Sequence, residues 1–194
     1  MLLRDQALAV SNLLIEDIGG HPVYPHQPEG LWKDFSFGKI SYPHQTDPSQ
    51  LHRRSLYSFW RRTSSPPNMF DSSSRQVCMV KSSITNTPLH ALTLMNDITY
   101  VEAARALATR MRKEGGESPN ARLKFAFELA TGRIPDEQES RLLLNGYERS
   151  LNEFSSFEED AKTYAASDEA GVELAALTRM AQVILNLDET LNRP

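Results

Sequence analysis

The chain has 194 residues, of which 40% are hydrophobic and 24% are charged, and this ordinary globular composition excludes an intrinsically disordered chain, a fibrous protein and a small disulfide-held toxin. The net charge of −4 gives the chain no overall electrostatic reason to bind nucleic acid or anionic lipid. A single cysteine, Cys78, excludes an internal disulfide, a CxxC redox pair, a c-type haem attachment site and a multi-cysteine zinc site. No apolar run is long enough to predict a membrane span, and the first residues do not predict an export signal.

The first predicted element is an amphipathic helix from Leu2 to Ile18. Its apolar residues recur at three- and four-residue spacing, and Gly19-Gly20 follows it, where a helix end favours a left-handed residue. The helix starts almost at the first residue with no capping residue before it. We therefore expect this chain to be the C-terminal portion of a larger protein.

Residues 21–50 are predicted to form a long ordered loop. The segment holds five of the eleven prolines, and the residue before a proline is biased towards extended backbone. Its apolar side chains are numerous enough to anchor the loop on a helical body. They are Tyr24, Leu31, Trp32, Phe35, Phe37, Ile40 and Tyr42.

The middle of the chain alternates helix and turn signals. A helix is predicted over 51–63, a surface turn over 64–76, and a short strand-like piece over 77–80. Thr87 as N-cap and Pro88 as first residue predict a short helix that ends near Asn96. Asp97 can cap the next helix, which is predicted from Ile98 to Glu114.

The last third is predicted to be helical throughout. Asn120 is expected to cap a helix over 121–131, and Pro135-Asp136-Glu137 to open a helix that runs to about Phe154. Further helices are predicted over 157–166 and 169–187. The whole chain, 1–194, is thus expected to form a single, mainly α domain: a bundle of six to seven helices wrapped by the loop at 21–50.

One cluster could recognise an anion or a sugar. Planar guanidinium groups beside aromatic rings suit carboxylates, sulfates, phosphates and sugar acids. The alternative is that the arginine stems cover the aromatic rings of their own helix while the charged heads pair with internal carboxylates. The cluster consists of Arg53, Arg54, Tyr57, Trp60, Arg61 and Arg62.

A second polar group lies at the ends of the short helix before residue 97. Asn86, Asn96 and Asp97 could bind a ligand, or they could satisfy the unpaired backbone groups of helix ends. The five histidines form no HExxH or HxH pair, so neither a metal nor any other cofactor is expected. Cys78 has no adjacent basic residue in the sequence and is expected to be an inert thiol.

Several ordered motifs resemble one family. The opening RDQALAVSNLL and the loop VYPHQPEGLW are similar to it, and six further motifs extend the similarity over nearly the whole chain. These are RRSLYSFWRRT at 53–63, PPNMFD at 66–71, TNTPLHALTLMND at 85–97, VEAARALA at 101–108, FELATGRIPDEQE at 127–139 and ILNLDE at 184–189. The chain thus resembles the C-terminal part of the planctomycete secreted domain of unknown function, which often accompanies c-type cytochrome modules. The resemblance implies a mainly α fold, an extracytoplasmic location and no established activity.

Three functions remain open from the sequence. The first is a structural or protein-interaction module of a larger exported bacterial protein, with other domains of that protein as partners and no catalytic activity of its own. It predicts that the arginines of the 53–62 cluster pair with carboxylates such as Asp71, Asp97 or Glu102. The second is a glycan- or anion-binding module, which needs at least two aromatic faces exposed in one groove. The third is a hydrolase that pairs Asp71 or Asp97 with His52 or His90 in a cleft.

Overall fold

The structure is a computed structural model and describes residues 2–27, 30, 42, 48–59 and 87–192. Within these residues it is mainly helical, 69% of them being helical, with no strand and nine α-helices, which confirms the predicted fold class. The helices are α1 (Leu2–Val10), α2 (Pro48–Leu51), α3 (Pro88–Asn96), α4 (Ile98–Glu114), α5 (Pro119–Thr131), α6 (Glu137–Ser155), α7 (Glu158–Ala165), α8 (Gly171–Leu185) and α9 (Asp188–Leu191).

The first helix is shorter than predicted. It ends at Val10 instead of Ile18 because Asn12 adopts a left-handed conformation with φ of 61°. The Asn12 N–H donates to the Ala9 carbonyl at 3.0 Å, and the Leu13 N–H donates to the Leu8 carbonyl at 2.8 Å. This pair of bonds is the Schellman arrangement that terminates helices, and asparagine is a residue that tolerates it. Ile18, predicted to lie on the apolar face, is exposed.

The predicted helix over 51–63 is wrong for its described part. Four residues of α2, a bridge at Arg53 and a 3-10 turn (Ser55–Tyr57) occupy residues 48–58. The backbone here bonds to distant residues: the Ile15 N–H donates to the His52 carbonyl, and Val23 exchanges bonds with Tyr57 and Phe59. Tertiary pairing with residues 15–23 therefore overrides the local helical pattern.

The caps between residues 87 and 114 were predicted correctly. The Thr87 side chain accepts a bond from the His90 N–H, and Pro88 is the first residue of α3. Asp97 ends α3 and caps α4, accepting a bond from the Thr99 N–H at 3.0 Å. The predicted bounds of both helices are therefore confirmed.

The helices after residue 114 follow the prediction with shifted ends. The N-cap of α5 is Ser118 and not Asn120, because Pro119 fits the first helical position and the Ser118 hydroxyl accepts from the Ala121 N–H. Asp136 caps α6 through a reciprocal capping box with Glu139. The helix predicted over 169–187 corresponds to α8, and the short α9 follows beyond its predicted end.

The core is centred on α8, which packs against α4, α6 and α7. Small side chains let these helices approach closely: Gly146 of α6 faces Met180 of α8, where an added Cβ would lie 3.1 Å from the methionine sulfur. The α1 helix packs on α4 and α5. The large side chains buried in this core include Leu8, Tyr100, Leu107, Met111, Leu123, Leu177 and Ile184.

Other predicted elements fall wholly or mainly outside the described residues. The turn at 64–76 and the strand-like piece at 77–80 lie there, as does most of the loop at 21–50. In the described part of that loop, Val23 is buried and Tyr24 packs on Tyr42 and Phe59.

Candidate functional site

Arg53, the first residue of the predicted arginine and aromatic cluster, is buried with 3% of its surface exposed. Its Nη1 donates to the His21 carbonyl at 2.9 Å, and its Nη2 donates to the carbonyls of Asp17, at 3.1 Å, and Gly19. The partners are therefore backbone oxygens of the loop at 17–21. None of these Arg53 hydrogen bonds goes to Asp97 or Glu102. Asp71 lies outside the described residues, so the predicted pairing of the cluster with carboxylates stays a prediction.

Tyr57 joins the same arrangement. The Arg53 guanidinium carbon lies 4.2 Å from the centre of the Tyr57 ring, in cation-π contact. The Tyr57 hydroxyl accepts a bond from the Gly19 N–H at 2.9 Å. Arg53 and Tyr57 therefore both hold the loop at 17–21, which contains Gly19 and Gly20 and is called the glycine loop below, against the 3-10 turn.

Two residues of α1 that the sequence analysis did not single out complete this region. Arg4 is 1% exposed and donates to the carbonyls of Leu51 at 2.7 Å and Arg53 at 2.8 Å. Asp5 accepts bonds from both the backbone N–H and the hydroxyl of Ser55 at 2.7 Å. Spacing could have suggested this, because Arg4 lies on the same helix face as the buried Ala7, Leu8 and Ser11.

Burial shapes the titration of this region. It lowers the pKa of Arg4, and the neighbouring Asp5 carboxylate partly opposes that effect. Burial also raises the pKa of Tyr100 far above its ordinary value, with Asp97 adding to the increase. Both groups therefore keep one protonation state across the physiological range: Arg4 as a cation bonded to carbonyls and Tyr100 as a neutral phenol.

One histidine and one carboxylate lie within hydrogen-bonding distance. His52 Nε2 is 3.2 Å from Glu102 Oε2, and this hydrogen bond lowers the pKa of Glu102, while partial burial acts in the opposite direction. The hydrolase interpretation named Asp71 or Asp97 as the carboxylate instead. Asp71 lies outside the described residues and Asp97 caps α4. Neither His52 nor Glu102 lines the open groove described below.

The remaining predicted ligand residues include three that the structure describes. Arg54 is partly exposed beside the buried Arg53. The Asn96 amide donates to the Leu92 carbonyl one turn earlier at 2.8 Å, and Asp97 acts as a cap. A ligand role for these residues stays a prediction. Four others lie outside the described residues, namely Trp60, Arg61, Arg62 and Asn86.

The described aromatic residues of the 21–50 loop pack on one another. The Tyr24 ring meets Tyr42 edge-on with centroids 5.7 Å apart and lies 5.0 Å from Phe59. The Tyr42 hydroxyl donates to the Pro25 carbonyl at 2.8 Å, and burial raises the pKa of Tyr42. Much of the surface of the Tyr24 and Tyr42 rings is therefore covered by contacts within the chain.

An open groove of about 520 Å³ lies beside Arg53. Its walls combine the exposed glycine loop with the end of α2. The groove is lined by Asp17, Ile18, Gly19, Gly20, His21, Pro22, Val23, Gln50 and Arg53.

A second surface feature is the outer side of α3. Leu89 and Leu92 are 71% and 60% exposed, and Met95 and the adjoining Ile98 are also exposed. Only Leu94 of this helix is buried. We refer to Leu89, Leu92, Met95 and Ile98 as the α3 face.

The described ranges hold neither a metal-binding cluster nor a membrane-spanning helix. Within residues 2–27, 48–59 and 87–192, no three histidine, cysteine or acidic side chains are grouped as a metal ion would require. None of the helices described is both long and apolar enough to cross a membrane.

Comparisons with known proteins show the family of the chain. The model of the family described as PSD1: Protein of unknown function (DUF1553) matches residues 1–147. No curated protein and no solved structure matches the chain significantly. Because the family match covers well over half of the 194 residues, the chain belongs to the PSD1 family of proteins of unknown function.

Proposed function

We propose that this chain is a structural or protein-interaction module of a larger exported bacterial protein, with no catalytic activity of its own. The observation that carries the proposal is the α3 face, a row of exposed apolar side chains on a helix without a charged residue. The proposed partner is another domain of the same exported protein.

The α3 face differs from scattered surface leucines. Leu89, Leu92 and Met95 follow one another at three-residue spacing, which aligns them along one side of the helix. Ile98, the first residue of α4, is exposed as well. Exposed apolar surface of this kind is typical of protein contact sites, because removing it from water lowers the free energy of the complex.

Several polar residues in and beside the candidate site bond within the chain. Arg4 and Arg53 donate to backbone carbonyls, and Asp97 caps a helix. Each of these bonds fixes one segment of the chain on another, which is what a rigid scaffold requires. These contacts favour a structural role over a catalytic one.

The resemblance to the planctomycete secreted domain supports two finer parts of the proposal. The first is an extracytoplasmic location, in the periplasm or outside the cell. The second is association with c-type cytochrome modules in the same exported protein. The ordered motifs in residues 53–139 carry both of these expectations, since motif order across a chain is harder to match by accident than one motif.

The test uses two leucines of similar exposure. Leu92, on the α3 face, is 60% exposed, and Leu142, on α6, is 63% exposed. The chain is titrated calorimetrically with the other domains of the exported protein, produced separately. We expect Leu92→Asp to abolish binding and Leu142→Asp to leave it intact, with unchanged melting temperatures in both variants. No binding by the unmodified chain, or equal loss in both variants, would overturn the proposal.

A further inference from the structure

The groove beside Arg53 contains a positive charge that no carboxylate of the described residues neutralises. Arg53 is buried, its hydrogen bonds all go to backbone carbonyl oxygens, and it takes part in none of the ion pairs formed within the described ranges. Carbonyl dipoles solvate a cation without cancelling its charge. Because a buried charge lacking a counter-charge is costly, the groove should favour the arrival of an anion.

The groove wall also presents hydrogen-bond donors. The backbone N–H groups of Gly20 and His21 and the side-chain amide of Gln50 have no acceptor within the described part of the chain. Such donors suit an oxyanion or a hydroxyl-rich ligand, since both offer several acceptor oxygens.

Shape and the remaining walls narrow the class of ligand. The groove of about 520 Å³ lies within the usual range for small-molecule sites. Ile18 and Pro22 add apolar surface to an otherwise polar wall, which suits the C–H face of a sugar ring. The acidic residue of the wall is Asp17, which is exposed and opposes an anionic ligand.

We infer that this groove binds an acidic saccharide, with the carboxylate of a uronic acid attracted by the charge of Arg53 and its hydroxyls bonded to Gln50 and the glycine loop. Arg53 is a fixed charge at the groove wall, and most of its N–H groups stay on the carbonyls of residues 17–21. The inference does not depend on the interaction role proposed for the α3 face, because no residue of that face lines the groove.

The first experiment compares four probes by saturation-transfer NMR and calorimetry on the full chain. These are galacturonate, digalacturonate, galactose and acetate. We expect galacturonate and digalacturonate to bind and the other two to bind at least about tenfold more weakly, a difference of about 1.4 kcal/mol. Binding should weaken as sodium chloride is raised, because salt screens the attraction. The inference would be overturned if neither uronate bound at about 10 mM, or if galactose bound equally well. Equal binding of acetate would show a simple anion site and would overturn the saccharide assignment.

Charge variants locate the site. Gln50→Glu adds a negative charge to the groove and should weaken galacturonate binding at least about tenfold. Asp17→Asn removes the opposing charge and should strengthen binding. Asn145→Asp, on the exposed surface of α6, makes the same charge change as Gln50→Glu away from the groove and serves as the control. Thermal melts confirm folding of each variant, and an equal loss in Asn145→Asp and Gln50→Glu would contradict the assignment.

Discussion

Arg4 donates a hydrogen bond from Nη1 to the backbone carbonyl of Arg53 at 2.8 Å, across 49 residues of sequence. The Arg53 side chain in turn donates to the loop at 17–21. The two buried arginines therefore act in series: α1 fixes the backbone beside the 3-10 turn, and the turn fixes the glycine loop. This chain of contacts gives the groove a defined wall although almost none of it is regular secondary structure.

Replacing Arg4 by leucine should strongly destabilise the fold. The variant leaves the carbonyls of Leu51 and Arg53 without their donor and Asp5 without its nearby cation. Each buried polar group left without a partner costs about 1–3 kcal/mol, so the two carbonyls should lower the free energy of unfolding by at least about 2 kcal/mol. Urea denaturation measures this change. Lys113→Ala, at an exposed position, is the control and should stay within about 0.5 kcal/mol of the unmodified chain; equal stability of both variants would contradict the role of Arg4.

The His52 and Glu102 pair should give a small, pH-dependent contribution to stability. The hydrogen bond from His52 lowers the pKa of Glu102 in the folded chain, so the pair stabilises the fold above the ordinary pKa of glutamate. That contribution is lost as the pH falls through the lowered value. Both side chains are partly exposed, so a double-mutant cycle with His52→Gln and Glu102→Gln should give a coupling within about 1 kcal/mol.

Melting temperatures at pH 7 and at pH values below 4 test the sign of this effect. We expect the difference between the unmodified chain and Glu102→Gln to shrink on acidification. A difference that stays constant over this range, or grows, would show that ionisation of Glu102 does not support the fold.

Helices whose limits depend on neighbouring residues could be predicted from the sequence. Thr87, Asp97 and Asp136 each cap a helix by bonding a residue two or three positions later, and such signals are complete within a short window. Residues 51–59 could not be predicted in this way. Their backbone bonds to residues 15 and 23, and no local pattern reports that distant pairing.

The candidate site shows the same limit. Arg53 and Tyr57 were singled out by residue type, but their shared partner is the backbone of residues 17–21. Because every residue has a backbone carbonyl and nearly every residue an N–H, the sequence does not indicate which of them will be the partner. Arg4 was missed because a charged residue in an amphipathic helix is ordinarily solvent-exposed. The apolar residues of the α3 face can be read from the sequence, but the sequence does not show that they are exposed. Their exposure in the structure is what distinguishes them from the buried leucines of α4 and α8.

Replacing Asp136 by alanine should destabilise α6. The Asp136 carboxylate accepts from the Glu139 N–H at 2.7 Å, and Glu139 reaches back to the Asp136 N–H at 2.8 Å. Loss of such a cap costs about 1 kcal/mol, whereas Asp136→Asn keeps an acceptor and should lose less. Chemical denaturation orders the variants, with Glu148→Ala, at an exposed position on the same helix, expected near the unmodified chain. If Asp136→Ala matched Glu148→Ala, the cap would have no energetic role.

Two glycines should respond differently to the same substitution. A Cβ added to Gly115 would lie 2.6 Å from the Met111 carbonyl oxygen and 2.8 Å from the Arg122 Cα, both backbone atoms. Gly115→Ala must therefore distort the end of α4 and push α5 away from it, at a cost of about 1–3 kcal/mol. Gly132 has open space around it but a φ of 80°. Gly132→Ala should therefore lower the free energy of unfolding only through the strain of left-handed backbone, by about 1–2 kcal/mol.

Asparagine separates these two causes. It tolerates left-handed backbone, so Gly132→Asn should recover part of the stability that Gly132→Ala loses. Gly115→Asn should recover none, because the clash comes from the Cβ that both residues carry. The measurement is the free energy of unfolding of the four variants by urea denaturation. Recovery at position 115 would show that the close approach of α4 and α5 does not set the preference for glycine there. Lack of recovery at position 132 would show the same for the left-handed end of α5.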